Sequence, residues 1–393
     1  LAGKAVLDFG NPFFAPIDSL GAEAERRGDH FVSFANYDYL GLASHPRVKA
    51  DAADALDQLG VGALASRLVG GERSTHQLLE EEVAAFLGTE SSLALVSGYL
   101  TNLTTITHLM AGRDALFIDE LSHNSIASAA KSSGSEVVVF RHNDLDHLDD
   151  LLAANRENYR NALIVVEALY SMDGDIVDLP RIVEIKERHQ AWLLVDEAHS
   201  LGVLGATGRG ISELAGIDPN RIDLIIGTMS KTLASCGGFI AAKRSITEWM
   251  RYSLPGFVYS VGLSPVITAA ARAALQLMQE ESWRIDRLTK NAELFRQCAQ
   301  EADLDTGPAI GRGVVPILFG SSQETMLASH YLLEQGFYCP PIVQIGVPKD
   351  QPRLRFFISA THTEDDIRRV IAALGTRPAA AAEAPEQVAS AAL

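Results

Sequence analysis

Basic clusters are what this chain most clearly lacks. Lysine and arginine total 33 against 50 aspartate and glutamate, the formal net charge is −17, and no run of Lys or Arg is longer than a pair. Phosphate backbones are met by basic stripes, so a nucleic-acid partner is excluded; the acidic excess serves solubility. Any phosphorylated ligand therefore has to meet locally placed donors. Cysteine is scarce too. Cys236, Cys298 and Cys339 form neither a metal-ligand spacing nor an even disulfide framework, so they read as packing residues of a chain in the reducing cytoplasm, with no metal site. No apolar run approaches the roughly 18–20 residues of a membrane span, and the first residues lack a basic segment followed by an apolar one. The chain opens on Leu1 and not on Met, which reads as a processed or trimmed form or a piece of a longer polypeptide.

What is there is an ordinary globular composition, 47% hydrophobic and 21% charged, in 393 residues. That length exceeds one core, so two lobes are expected. Residues 1–45 read as an arm in which Asn11-Pro12-Phe13-Phe14 is turn-like and the stretch from Phe31 is a short strand. Helical spacing covers Pro46 to Leu59 and His76 to Leu87, around a glycine-punctuated loop, Gly60 to Gly71, that reads as irregular and ligand-facing. Apolar runs then alternate with helices: Ser92–Val96, Ala115–Asp119, Glu136–Phe140, Leu163–Glu167, Trp192–Asp196, Asp223–Gly227 and Gly238–Ala242. Such runs imply an α/β fold with a mostly parallel sheet covered on both faces, in a large domain over 46–265. A linker helix over 266–290, a smaller α/β domain over 291–375 and a disordered Ala/Pro-rich tail over 376–393 complete the expected order.

Ligands bind such sheets at the carboxyl ends of the strands. Ser97-Gly98-Tyr99, His123, Asp196, His199 and Lys231 all lie just past an apolar run, and that shared placement assembles them into one site. Lys231, between small and hydroxylated residues after Leu224-Ile225-Ile226, suits a desolvated amine able to attack an aldehyde; the alternative is a loop lysine beside a Gly-rich turn. Asp196 suits a carboxylate on a pyridine nitrogen, or a helix cap. Ser97-Gly98-Tyr99 opens a helix whose amides can cradle a phosphate, with Thr228 and Ser230 adding hydroxyls. His123 can stack on a ring, or simply begin a helix.

Taken in order, Asn36-Tyr-Asp-Tyr-Leu-Gly41, Ser97-Gly-Tyr99, Asp119-Glu-Leu-Ser-His123, Glu167-Ala-Leu-Tyr-Ser-Met-Asp-Gly-Asp175, Val195-Asp-Glu-Ala-His-Ser200, Gly205-Ala-Thr-Gly-Arg-Gly210, Gly227-Thr-Met-Ser-Lys231 and Arg353-Leu-Arg355 resemble the α-oxoamine synthases. These are fold-type I enzymes dependent on pyridoxal 5′-phosphate (PLP), and the resemblance runs from about Asn36 to Leu374. It implies that Lys231 carries the cofactor as a Schiff base, Asp196 pairs with the pyridine nitrogen, His199 bonds the phenolic oxygen, and His123 and Ala198 sandwich the ring. Gly98, Tyr99, Thr228 and Ser230 would hold the phosphate, joined by Ser260 from the second subunit of a homodimer. Arg355 would bind the substrate carboxylate, while Asp38 and Ser66 would face the substrate, with room beside Ser66 for more than glycine. The implied reaction is decarboxylative condensation of a small amino acid with an acyl thioester of coenzyme A or a carrier protein.

Within the family, Gly237-Gly238-Phe239 and Asn11-Pro12-Phe13 look like serine palmitoyltransferase, whereas Asp38 matches the 8-amino-7-oxononanoate synthases. Pro340 to Pro348 departs from the Arg-Pro-Pro pattern of bacterial members, which leaves the acyl group open. A chain-releasing domain of a polyketide or fatty-acyl assembly also fits the start and the tail. A fold-type I aminotransferase and a silent partner subunit are the other readings; retention of Lys231, Asp196 and His123 argues against silence.

Overall fold

The computed structural model describes residues 12–14, 16–26, 28–343 and 351–377. The readings that fall on Asn11, on 344–348 and on the tail beyond Arg377 lie outside them. Contacts divide the chain into two units. One takes in the described residues up to Tyr39, Met172–Asp175 and those from Arg287 onward; the other is Leu40–Ser171 with Ile176–Asp286.

In the first unit, β1 (Asp18–Leu20), β2 (Glu23–Arg26) and β3 (Asp29–Ser33) form an antiparallel meander, and β3 pairs in parallel with a strand from the far end of the chain, Phe337–Tyr338. Boundaries drawn from sequence at 45 and 290 therefore differ from the observed division. Pairing between strands 300 residues apart leaves no mark in local periodicity. Phe34 sits at the centre of this unit, its ring stacked on His362 at 4.2 Å and edge-on to Phe356 at 5.5 Å. Burial there pushes the His362 imidazole down to about 4, so it packs as a neutral ring.

The second unit is built on a seven-stranded sheet: β4 (Ser91–Leu95), β5 (Ala115–Asp119), β6 (Glu136–Phe140), β7 (Ala162–Glu167), β8 (Trp192–Asp196), β9 (Leu224–Thr228) and β10 (Gly238–Ala242), in the order β4-β10-β9-β8-β7-β5-β6. The strands from β5 to β9 are mutually parallel, and β10 runs antiparallel to both neighbours. Buried Leu, Ile and Val such as Leu116, Leu163, Val165, Leu194 and Ile226 form its core, as continuous apolar runs in a doubly covered sheet require.

Two expectations change in this unit. The stretch around 265–288 is two helices, Pro265–Glu280 and Trp283–Glu301. The break lies at Glu281, whose φ of −112° and ψ of 51° leave the helical region, and Arg284 braces the junction by pairing with Glu281 at 2.6 Å and donating to the Leu40 carbonyl at 2.9 Å. The glycine-punctuated loop holds a turn of π-helix, Arg67–Gly71, capped by the Ser66 hydroxyl. Its buried Arg67 reaches Glu72 at 2.6 Å and also bonds Glu80; that ionic anchor orders an otherwise irregular segment. None of the described helices is long and apolar enough to cross a membrane.

Candidate active site

Three strand ends and two helix starts of the second unit converge on one pocket. Gly98, Tyr99, His123, Asp196, Ala198, His199, Thr228 and Lys231 line it, together with Asn102, Ser125, Glu167, Ile226 and Gly227. Lys231 lies in the turn after β9. That turn is held by Met229 N–H donating to Gly237 O at 2.9 Å and by Ala234 N–H donating to Lys231 O at 2.8 Å.

Asp196 ends β8 and is buried. One of its oxygens accepts from the Ala198 amide at 2.9 Å, the other from Asn102 Nδ2 at 2.7 Å. The carboxylate thus closes a turn, with no helix directly after it to cap, and is also aimed by a side chain on the helix Gly98–Leu109. A similar duality applies to His123. Its Nδ1 accepts from the Ser125 amide at 3.2 Å, capping the helix Asn124–Ser133, while the ring lines the pocket with Tyr99 edge-on at 6.3 Å.

The helix Gly98–Leu109 opens at Ser97, whose hydroxyl accepts from Leu100 N–H at 3.4 Å. Glycine at 98 is a steric requirement: a Cβ there would lie 2.8 Å from Thr228 Oγ1. Thr228 Oγ1 donates to Gly237 O at 3.0 Å and accepts from the Ser230 amide at 3.2 Å. The helix start and the β9 turn are thereby pressed together, with first-turn amides and hydroxyls at their junction.

Three polar pocket residues were given no role from sequence. Asn102 and Ser125 carry no local signal, since their role appears only when two helices and β8 meet. Glu167 does carry one, because it ends β7 as Asp196 ends β8, and the two are register partners. Its Oε1 accepts from the His123 amide at 2.6 Å. Burial first, then the Asp196 carboxylate, pushes its pKa up to about 8. Glu197, also buried, is pushed up to about 7 by desolvation against the opposing bond from Ser200; it holds the Ile211 amide at 3.0 Å and so fixes the loop 205–210.

Other expected residues lie elsewhere. Ser97 and Ser230 flank lining residues in the chain without lining the pocket themselves, and Ser260, on the loop after Val258, does not line it either. Ser66 spends its hydroxyl on Val258 O at 2.6 Å. In the other unit, the strand Arg353–Phe357 carries two arginines of different character. Arg353 is fully buried and paired with Asp173 at 2.7 Å, which makes it structural. Arg355 is half-buried, 4.5 Å over the Phe357 ring and 3.2 Å from Met172 Sδ. Asp38, in the same unit, is buried, its amide bonded to Asn36 Oδ1 at 3.1 Å and its carbonyl to the Ser359 hydroxyl at 2.8 Å.

This donor set fits PLP. An amine, a carboxylate steadied by two N–H donors, a flat imidazole and a backbone cradle that a Cβ would fill are the groups a pyridine aldehyde phosphate needs. The buried Asn102 Oδ1 has no partner among the described residues, an unmet acceptor at the edge of the same pocket.

The class I and II aminotransferase family matches residues 29–374. The chain is 39% identical over 358 residues to 8-amino-7-oxononanoate synthase of Geobacter sulfurreducens, covering 91% of each. It is 40% identical to a putative 8-amino-7-oxononanoate synthase of Desulforudis audaxviator, covering 92% of this chain and 93% of that protein. Among solved structures it is similar to serine palmitoyltransferase of Sphingomonas wittichii, with a TM-score of 0.91 at 28% identity over 96% of this chain and 95% of that one. The S. paucimobilis enzyme with a bound PLP–myriocin aldimine gives a TM-score of 0.90 at 28% identity over 95% of both chains.

Proposed function

This chain belongs to the class I and II aminotransferase family and is a PLP-dependent α-oxoamine synthase, and from that premise we propose how its residues divide the work. The reaction joins a small amino acid to an acyl thioester, with loss of CO₂ and of the thiol. PLP, when bound, supplies the electron sink that makes the amino-acid α-carbon nucleophilic. Lys231 would hold the cofactor, and its amine is the base placed to take the α-proton of the amino acid. Asp196 would keep the pyridine nitrogen protonated, and His199 would bond the phenolic oxygen. His123 and Ala198 would hold the ring. The amides of Gly98 and Tyr99, with Thr228, Ser230 and the Ser260 of a second copy, would take the phosphate.

Arg355 offers its fork to the amino-acid carboxylate. The ring of Phe357 beneath it and the Met172 sulfur beside it limit the conformers it can adopt. Asp38 and Ser66 border the substrates. The free thiols of Cys236, Cys298 and Cys339 support a reducing cytoplasm as the setting.

The observation that carries the reading is the convergence of Lys231, Asp196 and His123 on one pocket at the carboxyl end of the sheet. Borohydride should trap the cofactor on Lys231, and a matched amino acid and thioester should release CO₂ and thiol in equal amounts. Release of a keto acid without thiol would make the protein an aminotransferase instead. A second reading narrows the reaction to 8-amino-7-oxononanoate synthesis. It is favoured by Asp38 and by sequence relatives of that name at 39–40% identity.

A further inference from the structure

We infer that Asn102 and Ser125 fix the tautomer of His123, so that the imidazole carries its N–H on Nε2. Asp196 supplies the starting point: one of its oxygens is occupied by the Ala198 amide and the other faces Asn102 Nδ2 at 2.7 Å. Turning the Asn102 amide over would set its oxygen against the carboxylate, so the NH₂ group must face Asp196. The same nitrogen lies 3.0 Å from Ser125 Oγ. One of its hydrogens goes to Asp196 and the other to Ser125, which makes the serine oxygen an acceptor there. The hydroxyl proton of Ser125 is then directed to His123 Nδ1, 2.7 Å away. A second donor, the Ser125 amide, reaches the same nitrogen at 3.2 Å. Two donors on Nδ1 leave it bare, and the neutral ring must hold its proton on Nε2.

The polarity of this chain has a chemical consequence. An Nε2–H imidazole donates to an oxygen, whereas the other tautomer would accept. The ring is therefore set to polarise a substrate carboxylate or a new carbonyl and is disfavoured as a base at that nitrogen. That consequence rests on the proposed condensation; the tautomer does not. Asn102 and Ser125 are positioning residues, acting through Asp196 and His123.

The test uses the full chain reconstituted with PLP and labelled with ¹⁵N-histidine, the His123 signals being identified by their loss in His123→Asn. Wild type should show a pyridine-type Nδ1 and a pyrrole-type Nε2. Ser125→Ala, which keeps one weaker donor, should raise the Nδ1-protonated fraction about fivefold, the equivalent of one ordinary hydrogen bond. Ser125→Thr, which keeps the hydroxyl, should restore the wild-type pattern, and this separates the relay from any loss of fold. An Nδ1–H signature in wild type would overturn the inference, as would an unchanged tautomer in Ser125→Ala. Absence of thiol release with the expected tautomer in place would refute the proposed reaction and leave this inference standing.

Discussion

Glu167 and Asp196 face each other across adjacent strand ends, both buried, and two such carboxyls do not readily ionise together. The Glu167 pKa of about 8 exceeds its ordinary value of 4.5, so between those values the native state binds a proton that the unfolded chain lacks. Stability therefore falls as pH rises from about 4.5 to about 8 and levels off above. The groups facing it set this balance: Asp196 and Asp119 raise its pKa, and Lys231 and the His123 amide lower it. Glu167→Gln keeps the acceptor for that amide and removes the titration. Urea unfolding at pH 5 and pH 9 should show wild type losing up to about 4 kcal/mol more than the variant. Parallel losses would mean that the carboxyl titrates normally. In sequence Glu167 stood inside a quoted motif and at a strand end, yet its raised pKa was invisible because it depends on burial and on a neighbour 29 residues on, brought alongside by strand register. Lys231 and Asp196 were legible for the opposite reason: each follows an apolar run whose end fixes where the side chain emerges.

Elements were legible wherever a short apolar run is bounded by polar turns. Ala115–Asp119, Glu136–Phe140, Trp192–Asp196 and Gly238–Ala242 were read with the boundaries they have, and the other sheet strands differ by a residue. The inner strands are continuous apolar runs because the sheet is covered on both faces, whereas Glu136–Phe140, at the sheet edge with Val139 51% exposed, was legible from its run of valines. The π-turn at Arg67–Gly71 was not legible, since its order comes from a buried arginine meeting Glu80, 13 residues away. At this scale the junction of the helix Gly98–Leu109 with β9 gives a prediction. Gly98→Ala would place a methyl 2.8 Å from Thr228 Oγ1 and 2.9 Å from Thr228 Cβ, and neither element can yield without moving the turn that carries Lys231. Overpacking of this kind costs about 1–3 kcal/mol. The expected outcome is a lower melting temperature together with about tenfold or more weaker PLP binding, read by fluorescence titration. Unchanged cofactor affinity would show that the helix start does not form the cradle.

On the scale of the whole molecule, the loop 60–71 lies against the segment that carries Ser260. Gly262 N–H donates to Ala65 O at 3.0 Å, Ser66 Oγ to Val258 O at 2.6 Å, and His76 Nε2 meets Leu263 O at 2.8 Å. Together these two segments present Val61, Leu64, Val69, Tyr259 and Val261 to solvent, between 59% and 90% exposed. Apolar side chains grouped in this way mark an association surface more often than a free one. A second copy of the chain would cover them and bring its Ser260 to the phosphate, which links assembly to cofactor binding. Sedimentation should give twice the 42.3 kDa chain mass. Leu64→Asp tests that link. Leu64 is 90% exposed and has φ +61°, a conformation that aspartate tolerates, so the fold of one copy is undisturbed while a charge enters the contact. The variant should sediment as a monomer, keep its far-ultraviolet circular dichroism and bind PLP at least about tenfold more weakly. A wild-type monomer that binds PLP tightly would show that one copy completes its own site.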